Sequence, residues 1–552
     1  MRTTRLVTGM CIALATSAPV FAQQQGGFEI KAEWHDVSRP LSELAVQEGR
    51  AFQMESFSQI MPVRKVTPAM RGKGFAELGA SALLAAPERP SVLPKVFTGG
   101  LLLNFDGVGV STGAPSDVNG AVGDTQFVQW VNTRLAVYNK STGVIVPGFP
   151  VAGNTVFAGF VGSPGADACR TSNNGDPLAQ YDKLANRWVL SQFAWAAGNT
   201  DTGPYYQCIA VSQTSNATGA YNRYVFPSLD AAGTANVFND YGKVGVWPDA
   251  YYFTYVLFEP LGTLPFPAYL GPRVCGYDRA AMLVNGIAVG KCKDFGTAFG
   301  PLLPSDVDGT TPPPAGTPNF LLGFDFNGAG VGNILQMWKF SFTTNVLSAR
   351  TDIPVTTYTI GCPSTGTCVT QPAPGESLDS LGDRPMYRLA YRNFGTREVL
   401  LATHTVQQPT AAANGPVGMR WYELRDPNGA VNVYQQATYA PDTTSRWMGS
   451  VAMDKKGNIA LGYSASSATT FPGVRYTGRL RTEPRGFLES EATIVNGTGS
   501  QTSTFNRWGD YSSMSVDPFD DCTFWYTQQY IATTGSFTWR TRIANFKFDN
   551  CS

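Results

Sequence analysis

The sequence predicts an all-β chain, a β-propeller of six or seven blades with a short N-terminal extension. Three observations predict it. A strand–turn–strand unit with a polar, acidic opening recurs along the chain. Glycine (58), proline (37) and aromatic residues (12%) are abundant while charged residues are only 15%, the makeup of a turn-rich β protein. A strand at Leu101–Phe105 opens the repetitive part and another, Ile543–Phe548, ends it, as a ring closed on itself requires.

The clearest unit runs from Asn506 to Tyr530. Arg507-Trp508-Gly509-Asp510 makes a polar turn, and Tyr511 to Val516 alternates. Asp517-Pro518 with Asp520-Asp521 turns the chain back into the apolar run Thr523–Tyr526. Related units open at Gly123-Asp124, Gly175-Asp176, Asn239-Asp240, Gly382-Asp383 and Arg446-Trp447, with a fainter one at Phe320–Phe342. Each is long enough for a small four-stranded sheet. Radial stacking of such sheets buries their faces and leaves short edges. The first and last strands are expected to share one blade. A pair of β-sandwich domains is the competing architecture. The segments Phe258–Pro272, Leu302–Pro318 and Cys362–Cys368 are expected to be surface loops.

Residues 1–22 read as a signal peptide. Arg2 and Arg5 precede the apolar run Leu6–Ala15, and small residues end at Ala22. The run is shorter than the roughly 20 residues that span a bilayer, and no later stretch suffices. Residues 23–95 form an extension and linker, with one helix expected within Leu41–Met54 and a proline-rich stretch at Ala86–Pro94. Residues 96–552 form the propeller domain. Beyond the signal, eight cysteines in an exported chain imply disulfides. Their order suggests Cys169–Cys208, Cys275–Cys292, Cys362–Cys368 and Cys522–Cys551. The location follows: secreted, extracellular or periplasmic.

Several classes are disfavoured. Lys+Arg and Asp+Glu balance at 41 each, so no basic excess drives nucleic-acid binding. Two histidines and no paired CxxC leave a zinc site short of ligands. There is no phosphate loop and no dinucleotide fingerprint. No cofactor is expected, with Ca2+ left open at the loop of Asp517, Asp520 and Asp521. Asp306-Val307-Asp308-Gly309 starts like a calcium loop but lacks the later glutamate. Gly109–Gly113 spells G-x-S-x-G, yet Pro115 follows where a helix is needed. His404 reads as a structural histidine in a strand.

The repeat makes a geometric prediction. If the first strand of each unit lies innermost, the acidic openings gather round one end of a central channel. That ring contains Asp124, Asp176, Asp240, Asp383 and Asp510, with Arg384, Arg446, Arg507 and Tyr511 alongside. Carboxylates that accept hydroxyl hydrogen bonds, with aromatic faces, suit an extracellular glycan. Catalytic roles fall to Asp510, Asp383 and Tyr511. Substrate contacts fall to Asp124, Asp176, Asp240, Arg384, Arg446 and Arg507. Hydrolysis would need two carboxyls about 5–5.5 Å or about 6.5–9.5 Å apart. The competing account of each aspartate is a turn cap bonded to backbone N–H groups. The competing function is a non-catalytic adhesion or scaffold propeller.

Ser515-Val516-Asp517 with Trp525, and more weakly Asp454 with Gly457-Asn458, resemble the Asp-box turn of secreted sialidase-like β-propellers. Trp525 stands further from Asp517 than in that motif, and Asp520-Asp521 replaces its glycine. The resemblance covers turns only and implies the blade architecture. It transfers no arginine triad and no tyrosine nucleophile, so sialidase activity is not implied. Arg384, Arg446, Arg507 and Tyr511 rest on geometry alone.

Overall fold

Short apolar runs separated by glycine and polar turns pair locally, and the chain repeats this many times. A computed structural model describes residues 27–48, 59–60, 92–93, 95–109, 113–196, 202–263, 267–502 and 506–552. Strands dominate it, with only a few short helices among the described residues. In each sheet an innermost strand is followed outward by antiparallel partners. Sheet 1 starts with Asn119–Val122, sheet 2 with Gly175–Asp182, and sheet 3 with Phe238–Val246. Sheets 4 and 5 start with Leu303–Asp308 and Met386–Asn393. Sheets 6 and 7 start with Ser445–Met453 and Ser513–Val516.

Each inner strand packs on the inner strand of the next sheet, and that of sheet 7 returns to sheet 1. Between sheets 4 and 5 the contact is a parallel ladder from Ser305↔Leu389 to Asp308↔Arg392. This arrangement explains why Ala250–Phe258, the second strand of sheet 3, is buried at every position. Both its faces meet neighbouring sheets, so it reads as a continuous apolar run rather than an alternating one.

The ring closes as expected. Gly99–Asp106 forms the outer strand of sheet 7 beside Trp539–Phe548, with Phe548 opposite Gly99 and Arg542 opposite Asp106. The four expected disulfides are present. Cys522–Cys551 ties the C-terminus to the turn after the inner strand of sheet 7.

The N-terminal extension is woven into the wheel. Phe28–Lys31 adds an edge strand to sheet 3 and Trp34–Val37 one to sheet 2. The expected helix spans Leu41–Glu48 and buries Leu41, Leu44 and Ala45 against sheets 1 and 2. Such burial contributes about 1.5–3 kcal/mol per leucine. The signal segment and most of the linker lie outside the described residues. No helix among the described residues is long and apolar enough to cross a membrane.

Three expectations change. Leu302–Pro318 is not simply a surface loop, because Leu303–Asp308 within it is a fully buried inner strand. Its two carboxylates are compensated by cations from neighbouring sheets, a partnership invisible in local polarity. Phe320–Phe342 therefore holds the second and third strands of sheet 4 rather than the opening of a unit. Phe258–Pro272, expected as a loop, already contains the start of the strand Tyr269–Asp278.

Candidate functional site at the hub

The inner strands begin with a recurrent local strain. Asp117, Asp176, Tyr241, Leu381, Met448 and Asp510 have φ of 45, 45, 53, 42, 51 and 50°. Each stands near the start of its sheet's inner strand: Asp117, Leu381 and Asp510 precede it, while Asp176, Tyr241 and Met448 lie in its first half. Non-glycine residues rarely adopt this left-handed region, which aspartate tolerates better than most. Strained backbone of this kind concentrates at functional sites. The ladder of the inner strand slips at the same place in sheets 2, 3 and 6.

Charged side chains from several sheets meet there. The carboxyl groups of Asp117 and Asp176, from sheets 1 and 2, lie close enough for each to shift the other's proton affinity. Burial first, then the charges of Asp510 and Asp176, push Asp117 well above the usual carboxylate range. Burial and Asp240 raise Asp176 to about 7, against the opposing pull of Lys243. The pair thus titrates as a unit and holds a proton near neutrality. Asp176 also accepts the backbone N–H of Tyr241 at 2.8 Å.

Lys243 has no exposed surface. Its ammonium lies 3.4 Å from the ring centre of Tyr241 and 3.9 Å from that of Tyr511, and donates to the Gly242 carbonyl at 2.8 Å. Burial brings its pKa down to about 8 despite the nearby Asp176 and Asp117. The two rings meet edge to face, 6.0 Å apart at 76°. The Tyr241 hydroxyl donates to the Asp510 carbonyl (3.2 Å), and the Tyr511 hydroxyl to the Pro177 carbonyl (3.3 Å). Arg384 lies 4.6 Å from the Tyr241 ring and pairs with Asp383 at 3.0 Å. Arg507 Nη2 pairs with Asp510 Oδ2 at 2.5 Å. Asp117 Oδ1, Asp510 Oδ1, and Arg507 Nε and Nη1 are buried with no hydrogen-bond partner among the described residues.

Seven of the nine residues expected at this ring come together: Asp176, Asp240, Asp383, Asp510, Tyr511, Arg384 and Arg507. Asp240 and Asp383 are partly exposed, while Asp117, Asp176 and Asp510 are 1%, 9% and 8% exposed. Two residues lie elsewhere. Asp124 follows its inner strand instead of preceding it, and sits exposed near Tyr181 at the other end of the wheel. Arg446 is locked within sheet 6 by Asp442 (2.9 Å) and Glu491 (2.8 Å).

No protein-family model and no curated protein matches this chain. Among solved structures it is similar to a PL25 ulvan lyase bound to -[GlcA(1-4)Rha3S]-, with 10% identity over 82% of this chain and 97% of that one, TM-score 0.35. It is also similar to a GH43_1 enzyme from Xanthomonas citri complexed with xylotriose, with 12% identity over 64% and 97%, TM-score 0.30. A third is the hemagglutinin-neuraminidase of parainfluenza virus 5, with 8% identity over 72% and 94%, TM-score 0.35.

Asp117 and Lys243 escaped the sequence reading. A signal was present: Asp117 and Asp124 bracket their inner strand at the same spacing as Asp510 and Asp517. Asp517, the second aspartate of its pair, is a turn cap. Asp517 accepts the Phe519 N–H at 2.9 Å and the Trp525 indole N–H at 3.2 Å. Asp454 accepts the N–H groups of Lys456 and Asn458, both at 2.9 Å. These are the turns that resemble the Asp-box. Asp520 likewise caps Cys522 and Thr523, and Asp521 pairs with Arg392 at 2.6 Å.

Further along the inner strands, a second charged network joins the sheets. Arg388 pairs with Asp306 (2.6 Å) and Asp308 (2.9 Å) and donates to the Met514 carbonyl (2.8 Å). Lys183 also pairs with Asp308, and Gln180 donates to Asp306. His404 is buried against Phe324 and Tyr422, and its pKa is pushed well down by burial and Arg420. It is a neutral core group, as its strand position implies.

Proposed function

We propose that this chain is a secreted, seven-bladed β-propeller that binds an extracellular glycan at its hub and carries there the acid–base groups to cleave it. Sheets 1 to 7 are the blades. Export rests on the basic and apolar N-terminal segment together with the disulfides.

The observation that carries the reading is the Asp117–Asp176 pair beside Asp510. A carboxyl pair that keeps one proton near neutral pH is a proton donor. Asp510, ion-paired with Arg507 at 2.5 Å, stands beside the pair as the other carboxyl group of the cluster. The directly interacting pair acts as one group, whereas a glycosidic bond needs two carboxyls about 5–5.5 Å or about 6.5–9.5 Å apart. The two roles therefore fall to the pair on one side and Asp510 on the other. Asp240 and Asp383, partly exposed, form the rim that meets hydroxyl groups, with Arg384 buried against Asp383. Tyr511, its hydroxyl bonded to Pro177, positions Lys243 rather than attacking substrate. The unpartnered oxygens of Asp117 and Asp510 accept, and the free N–H groups of Arg507 donate, as a polyhydroxylated ligand demands.

The test is a panel of neutral, uronic-acid and sialylated polysaccharides incubated with the full chain, reading retention and released reducing ends. Asp510→Asn and Asp176→Asn are expected to keep binding and to lower release by about 100-fold or more. Failure of the wild-type chain to bind any member overturns the reading. One observation favours a non-catalytic adhesion or scaffold propeller: Lys243 and the Arg388 network fill the space between inner strands. Retention without release in the wild type would assign that role.

A further inference from the structure

On the opposite face from the hub, sheets 5 and 6 border a small cleft whose lining includes Arg397, Arg425, Arg479, Arg481 and Arg485. Arg397 lies in the turn after the inner strand of sheet 5, and Arg479 ends the third strand of sheet 6. Glu423 is the one carboxylate in the lining. Both its oxygens are already used, one accepting from Arg425 Nε at 2.8 Å and the other from Gln435 at 2.5 Å. Five guanidinium groups therefore face one engaged carboxylate.

Four of these arginines are held by neighbouring side chains or carbonyls, while Arg481 is exposed. Arg425 and Arg485 lie 3.1 and 3.8 Å from the ring centre of Tyr434, and Arg397 lies 4.1 Å from that of Phe394. Arg479 is 2% exposed. Its Nη2 donates to the carbonyls of Glu483 and Pro484, yet its Nε has no partner among the described residues. Arg397 Nε is likewise buried and unpartnered. Burial, then the charges of Arg481 and Arg425, lower the Arg397 pKa, and burial lowers that of Arg479 although Glu423 and Glu483 oppose it. Orphaned buried N–H donors and uncompensated like charges both cost stability unless an anion answers them.

We propose that this cleft binds a tetrahedral oxyanion, the group of a sulfate or phosphate ester, between Arg397, Arg479 and Arg481. Guanidinium forks match such groups through paired, charge-assisted hydrogen bonds. Arg425 and Arg485, fixed on Tyr434, surround the bound charge. The site is separate from the hub, and its ligand does not depend on what the hub binds.

The experiment is equilibrium dialysis of the full chain against radiolabelled inorganic sulfate and, in a parallel arm, inorganic phosphate, with chloride at matched ionic strength as control. Saturable binding of one oxyanion per chain is expected, and the tighter arm identifies the ester. Arg481→Gln, at an exposed position, should weaken binding roughly tenfold, and Arg397→Gln with Arg481→Gln should abolish saturation. Unchanged unfolding midpoints will show that the variants fold. No saturation in either arm overturns the proposal, and so does a double variant that binds like the wild type. A polysaccharide panel that fails at the hub leaves this result untouched.

Discussion

Asp117 and Asp176, carried by neighbouring sheets, bring their carboxyl groups together at the hub, where each shifts the other's proton affinity. A residue distance of this kind is long in the chain and short in space, and it sets the electrostatics of the whole cluster. Its consequences are measurable without knowing any ligand.

The pair makes the fold less stable as pH rises from about 4 to about 7. The unfolded carboxyl ionises near pH 3.9, whereas folded Asp176 does so at about 7. Between those values the folded state holds a proton that the unfolded state has lost, so unfolding free energy falls with pH. The expected loss is on the order of 3–4 kcal/mol. Urea midpoints across this range should show it, and Asp176→Asn, which can still accept the Tyr241 N–H, should flatten the slope. Identical profiles for the two proteins would remove the shared proton.

Lys243→Met takes the buried cation from between Tyr241 and Tyr511. At pH 8 the carboxyls near it are then uncompensated, and a loss of about 3–5 kcal/mol is expected. At pH 5, where Asp176 is protonated, the loss should shrink. Denaturation at the two pH values checks the difference. An equal effect at both would mean that Lys243 acts through packing alone.

Arg388→Met strips Asp306 and Asp308 of a shared partner. The expected cost is about 3–5 kcal/mol, because both carboxylates stay buried. Adding Asp306→Asn should recover part of it. A single variant as stable as the wild type would show that Lys183 alone suffices.

Replacing Cys522 and Cys551 by serine opens the loop that ties the C-terminus to sheet 7. Stability should fall by about 2–4 kcal/mol. Hydrogen exchange should rise most in Trp539–Phe548 and in Gly99–Asp106, which pairs with it. Uniform exchange across the wheel would contradict a local clasp.

Much of the wheel was legible in the chain. Alternating runs, acidic turns and the matched end strands are local properties, so the units, the ring closure and the disulfide order could be read directly. Sheet 4 was not legible in this way. Its inner strand, Leu303–Asp308, carries two aspartates amid proline-rich sequence and looks like a loop. Only the arrival of Lys183 and Arg388 from other sheets makes those charges tolerable in a buried strand.

The hub divides along the same line. The chain by itself determined that aspartates would recur beside inner strands, because each turn needs a short polar residue to cap it or to bear a left-handed backbone. It could not say which aspartate of each pair faces the axis. Asp510 and Asp117 open their strands and point to the hub, while Asp517 and Asp124 follow theirs and lie at the far end. That choice belongs to the tertiary structure. The proton shared by Asp117 and Asp176, and the lowered affinity of Lys243 for its own, come from burial among groups distant in sequence, and burial exists only once the ring has closed.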